Sequence, residues 1–94
     1  MNVGLVTLRF RLYSVDSIKG KRSIVKRLLA DVRRRGPAFA ACEMTDQDDL
    51  RRLTICVAHL SNDPRFTESV LTRLLADLER GDGYEMAESR IETL

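Results

Sequence analysis

Eight of the chain's sixteen lysines and arginines lie between Lys19 and Arg35, with a single acid, Asp31, among them. Eight positive charges and one negative give this stretch +7. The whole chain carries only +2, so the remaining residues stand at −5. The chemistry such a stretch can do is to bind a polyanion, because lysine and arginine neutralise phosphates and release their condensed counterions. On a helix, Lys19, Arg22, Lys26 and Arg33 fall within about 60° of one another and form a row about 21 Å long, with Ala30 in its one gap. Lys19, Lys21 and Arg22 also stand at the helix start, where free N–H groups and the dipole already favour an anion. The expected nucleic-acid-binding residues are therefore Lys19, Lys21, Arg22, Lys26 and Arg33. A solvated face laced with salt bridges is the plainer alternative, and it fits poorly with one acid among eight bases.

Other chemistry finds less support. Asn62 could position a water as in acylphosphatases, but no glycine-rich phosphate cradle accompanies it, and it reads as a turn residue beside a helix cap. Glu43, Asp46, Asp48 and Asp49 offer oxygen ligands without the spacing of a calcium loop, and turns favour Asp for backbone reasons. Cys42 and Cys56 read as two small buried thiols on paired strands. His59 has no second ligand or nucleophile placed for it and reads as a strand or interface residue. No catalytic residue, cofactor, metal or small-molecule substrate is expected, and the protein is read as a non-enzyme.

The elements that must hold the basic row follow from periodicity. From Val3 to Tyr13 the residues alternate, with Val6, Leu8, Phe10 and Leu12 on one face and Leu5, Thr7, Arg9 and Arg11 on the other, which is a strand with one buried side. Asp16 and Ser17 are candidate caps of the first helix, whose core stripe is Ile24, Val25, Leu28, Leu29 and Val32. Gly36 and Pro37 stop it. A short strand over residues 39–44, a turn at 45–49 centred near Asp48 or Asp49, and a strong strand over 53–60 come next. Asp63 and Pro64 start a second helix with the stripe Val70, Leu71, Leu74, Leu75 and Leu78. Gly81, Asp82 and Gly83 end that helix, and residues 84–93 read as a last, charged strand.

Strand, helix, strand, strand, helix, strand is the order of a ferredoxin-like α+β domain. A single domain over residues 1–94 is expected, with a four-stranded antiparallel sheet and both helices on one face. The first and third strands take the central places. The other sheet face is left open, carrying Leu5, Thr7, Arg9 and Arg11, joined by Val57 or Ile55. These residues, Leu5, Thr7, Arg9 and Val57, are the expected interface of a protein partner or a homodimer. Stacking of bases on central-strand aromatics is not expected, because Phe10 points to the helices and the third strand has no aromatic. With 44% apolar and 32% charged residues the chain should fold rather than stay disordered. Uncharged runs are too short to span a bilayer and the start lacks a signal peptide's layout. With two cysteines, that makes a cytoplasmic setting the expectation.

The same residues carry a family resemblance. Ser17-Ile18-Lys19-Gly20-Lys21-Arg22, followed by Val25-Lys26-Arg27-Leu28, resembles the helix start of the small bacterial YlxP-like proteins. Glu43, Gln47-Asp48 and Ser61-Asn62-Asp63 match that family's later landmarks in order. The resemblance implies a ferredoxin-like domain of unknown function with a ribosome-associated or RNA-linked role, and it supplies no catalytic residues. Two departures stand out. Gly20 replaces the usual acid, which removes a capping-box partner from Ser17. Leu50 and Arg51 stand where many members have Trp and Gln, so any contact made through that Trp is altered here. The reading that results is a non-catalytic domain that binds RNA or a ribosomal subunit through the basic first helix, or else a self-association module using the open sheet.

Overall fold

The computed structural model describes residues 1–44 and 49–94. Strand β1 (Asn2–Leu12) is the axis of the fold. Its alternation is realised as read: Val6, Leu8, Phe10 and Leu12 are buried, while Arg9 and Arg11 are exposed on the opposite face. Helix α1 (Ile18–Arg34) begins where the Ser17 hydroxyl accepts the Gly20 N–H at 3.0 Å, a cap that contributes about 1 kcal/mol. Strands β2 (Phe39–Glu43) and β3 (Arg52–Ser61) follow. The turn expected between them, with Asp46, Gln47 and Asp48, lies outside the described residues. Helix α2 (Pro64–Asp77) starts with Pro64 at its first position and the Asp63 carboxylate accepting the Arg65 N–H at 3.0 Å.

The chain ends differently from expectation. Helix α2 stops at Asp77, and a two-residue strand β4 (Arg80–Gly81) turns back into β5 (Tyr84–Thr93). Gly83 at φ +85° makes that tight reversal without the strain a side chain would bring. The sheet therefore has five strands rather than four, in the order β2-β3-β1-β5-β4, every pair antiparallel. A two-residue strand shows no periodicity in a sequence, so Gly81, Asp82 and Gly83 read as a helix stop. Gly81 instead belongs to β4, and Asp82 and Gly83 are the hairpin turn.

Both helices cover the same face. Ile24, Val25, Leu28 and Val32 of α1 and Leu71 and Leu74 of α2, with Leu78 just past its end, share one apolar cluster with the inward residues of β1 and β3. Register fixes which residues of β3 join it. Val6 lies opposite Val57 and Leu8 opposite Ile55, and directly opposed residues share a face. Val57 and Ile55 are both 0% exposed in the core. The expectation that Val57 or Ile55 lies on the open face is overturned. Thr54, Cys56 and Ala58 take that side.

Two local contacts complete the layer. Tyr84 meets Phe10 edge to face, with centroids 5.3 Å apart, and ties the start of β5 to the core. Gly4 lies opposite His59 at the far end of the sheet, where a Cβ would run into the side chains of Thr67 and Leu71. Its missing side chain lets α2 approach the sheet closely.

Candidate polyanion-binding surface

The eight cations of the basic stretch do not form one free row. Lys21 is 1% exposed, and its Nζ donates to the Asp49 carbonyl at 2.7 Å and lies 3.9 Å from the Glu43 carboxylate. It ties the first turn of α1 to the segment entering β3 and to β2. Its placement among the surface binding residues is therefore corrected: it is an internal strut, inaccessible to a phosphate. Arg33 is exposed, but its guanidinium donates to the Ala41 carbonyl of β2 at 3.0 Å, which spends part of its donor capacity on the fold.

Acids distant in sequence compensate others. Arg27 donates to the Asp82 carbonyl at 3.1 Å and lies 3.8 Å from its carboxylate in the β4–β5 turn. Arg34 pairs with Asp31 at 3.4 Å, and Arg35 is held between Asp31 at 3.2 Å and Asp77 of α2 at 2.8 Å. The single acid of the stretch is thus joined by Asp77, Asp82 and Glu43. What remains is Lys19, Arg22 and Lys26, all exposed and, among the described residues, in no ion pair. They span eight residues, about 10 Å, on the N-terminal half of α1. No acid occupies the first turn of that helix. Lys19 stands beside the free N–H groups of the first turn, with Arg22 and Lys26 one and two turns further along, and such a row can hold phosphate oxygens.

The sequence matches the family described as "Protein of unknown function (DUF503)" over residues 3–91. The chain belongs to that family. No curated protein matches this DUF503 chain. Among solved structures it is similar to two de novo designed proteins. One is Foldit4, at 16% identity and a TM-score of 0.57, covering 100% of this chain and 97% of that one. The other is LFR1 1, described as having a ferredoxin fold, at 16% identity and a TM-score of 0.53, covering 100% of this chain and 84% of that one. At that identity the likeness establishes the fold alone, α+β and ferredoxin-like.

The other candidate groups of this DUF503 chain have definite places. His59 is buried at 2% exposure, with Nδ1 3.1 Å from the Thr67 hydroxyl and its ring between Phe39 and Phe66. Burial lowers its pKa below the usual 6.5. It is a packed strand residue. Cys42 and Cys56 lie directly opposite each other on β2 and β3, both free, but contrary to expectation Cys42 is exposed and Cys56 only half-buried, because they point to the open face; Cys42 Sγ is 3.8 Å from Met44 Sδ. Burial pushes the Cys56 thiol up, the neighbouring Cys42 adds to this, and a hydrogen bond with Thr7 opposes it. Among the described residues no three His, Cys, Asp or Glu side chains converge as a metal site; Asp46 and Asp48 lie outside them. Asn62 is exposed beside the α2 cap.

On the open face Leu5 and Thr7 are half-buried, and Arg9 bonds Glu88 of β5 at 3.1 Å. Sequence reasoning places Arg9 and Arg11 on this face but does not join Arg11 to Arg51 and Arg52 as a second set of cations. Arg11, at the end of β1, meets Arg52 across the β1–β3 ladder, with Arg51 adjoining. The signal available was the Arg51-Arg52 dyad at the start of a strand, facing the alternating Arg9 and Arg11.

Proposed function

We propose that this protein is a non-catalytic RNA-binding domain that meets ribosomal RNA or a ribosomal particle electrostatically through α1. In this reading it is a YlxP-like member of its family and works in a bacterial cytoplasm. The observation that carries the proposal is the selective lack of compensation on one helix. Of the eight cations of α1 and its C-cap five are satisfied by the fold, whereas Lys19, Arg22 and Lys26 are left exposed together on its N-terminal half, with Lys19 at the start where an anion is favoured.

Fluorescence anisotropy of a labelled ribosomal RNA fragment tests it. Three phosphate contacts imply a log–log salt slope of about −2.1 to −2.7, or about eighteen- to fortyfold weaker binding between 50 and 200 mM salt. The triple charge reversal Lys19→Glu, Arg22→Glu, Lys26→Glu should abolish binding without lowering the melting temperature. Unchanged binding by that variant would sink the proposal.

A second reading has its own observation. On the side of the sheet away from the helices, Leu5 faces Ala58 and Thr7 faces Cys56, with Leu60 48% and Met44 47% exposed beside them. A flat patch of small and aliphatic residues suits a second copy of the chain. Sedimentation should then report a dimer that Leu5→Glu dissociates, and a wild-type monomer at all concentrations rejects it.

A further inference from the structure

The end of the open sheet face nearest α1 holds a concavity of about 860 Å³, lined among others by Arg9, Arg11, Arg51, Arg52, Tyr13 and Ser14. Arg11 and Arg52 are both exposed and directly opposed across β1 and β3. Like charges in that position repel each other.

The nearby acids already have partners, and Glu88, which lines the cleft itself, has Arg9. Glu85, opposite Arg11 on β5, accepts from the Tyr13 hydroxyl at 3.2 Å and pairs with Arg80 at 3.4 Å. Glu88 holds Arg9 at 3.1 Å. The Asp49 carboxylate accepts the Arg51 backbone N–H at 2.8 Å. Arg11, Arg51 and Arg52 are consequently in no ion pair among the described residues. A cleft that concentrates three such guanidinium groups can neutralise an anion.

An exposed aromatic narrows the class of anion. Tyr13, just past β1, keeps 46% of its surface exposed at the cleft edge while its hydroxyl is anchored to Glu85. A fixed ring beside arginines is the arrangement on which an unpaired base stacks while its backbone is neutralised. The cleft also adjoins the basic row. Lys21 of the first α1 turn reaches the Asp49 carbonyl, two residues before Arg51, so α1's start and the cleft share one end of the molecule. We propose that this cleft is a single-stranded RNA subsite, in which Arg11, Arg51 and Arg52 take backbone phosphates and Tyr13 stacks a base. The subsite rests on the reading of α1 as an RNA-binding helix and extends it round the end of the sheet.

The test compares four proteins by anisotropy on one labelled single-stranded oligoribonucleotide across a salt series. They are wild type, Arg11→Gln/Arg52→Gln, Tyr13→Ala and the α1 triple reversal. Removing two phosphate contacts should flatten the log–log salt slope by about 1.4. Loss of stacking should weaken binding by about five- to a hundredfold with the slope unchanged. Because the double variant removes a repulsion, it should melt no lower than wild type, so lost binding is not lost folding.

Unchanged affinity and slope in Arg11→Gln/Arg52→Gln overturns the subsite, and the α1 reading survives if the triple reversal fails to bind. Retained binding by the triple reversal, with loss in the cleft variants, supports the subsite and removes α1 from the function. Absence of binding by wild type at low salt overturns both. Tyr13→Ala with wild-type affinity overturns the stacking role.

Discussion

Replacing Lys21 by Met separates a lysine that binds from a lysine that holds the fold. The methionine keeps most of the aliphatic stem and removes the ammonium, which is 1% exposed and donates to the Asp49 carbonyl at 2.7 Å with Glu43 at 3.9 Å. Breaking a fully buried pair by deleting one partner costs about 3–5 kcal/mol. The Glu43 side chain is 20% exposed and can recover some hydration, which pulls the expected loss down to about 2–3 kcal/mol, the range of one charged hydrogen bond. For a domain of this length each kcal/mol moves the melting temperature by about 4–8 °C, so Lys21→Met should melt about 10–20 °C lower. Lys26→Met, on the exposed side of the same helix, should change stability by less than about 0.5 kcal/mol. Thermal unfolding followed by circular dichroism reads both. At a temperature where Lys21→Met is still folded, its RNA affinity should equal wild type, while Lys26→Met should bind more weakly. A Lys21→Met variant that melts like wild type but loses RNA binding would refute the reasoning and return Lys21 to the binding surface.

The far end of the sheet gives two further expectations. Gly4→Ala drives a methyl into Thr67 and Leu71, an overpacking that should cost about 1–3 kcal/mol in chemical denaturation; a neutral result would mean that α2 can lift away. His59 has a pKa lowered by burial, so the unfolded chain binds its proton first as pH falls. Its contribution to stability is full above the unfolded value of 6.5 and is lost progressively as pH falls from there through the lower folded value. His59→Phe should flatten the stability profile as pH falls below about 6.5, and an unchanged slope there would place the sensitivity elsewhere.

How far the fold can be read from residues depends on whether their pattern has one phase. Strand β1 has one, because Val6, Leu8, Phe10 and Leu12 are apolar and Arg9 and Arg11 are not, and the structure follows it. In β3, Ile55, Cys56, Val57 and Ala58 are consecutive and apolar, so alternation cannot choose the inward set. Only pairing with β1 does, through Val6 opposite Val57. Lys21 was legible by a different route. It precedes Ile24 and Val25 by three and four residues, so it continues the helix's own buried stripe, and its charge type concealed what its spacing indicated. The pairing of Arg27 and Arg35 was not legible, since Asp82 and Asp77 reach them only through the packing of α2 and the β4–β5 turn. Strand β4 was too short to leave any pattern.

The position of the uncompensated charges along α1 bears on why they are there. A helix favours cations at its C-terminal end and acids at its start, by about 0.3–1 kcal/mol each at an exposed site. The C-terminal end obeys this twice over: Arg33 and Arg34 lie in the last turn, and Arg34 and Arg35 are paired with acids as well. The other end violates it. Lys19 and Arg22 stand near the start with no acid in the first turn. If these cations served only solubility, they would cost nothing at mid-helix or beyond, whereas at the start they oppose the dipole. A bound anion reverses that sign, because it is attracted by the dipole and by the lysine and arginine at once. The unfavourable placement in the free protein is therefore a favourable one in a complex. The same holds for Arg11 opposite Arg52, whose mutual repulsion ends when a phosphate lies between them.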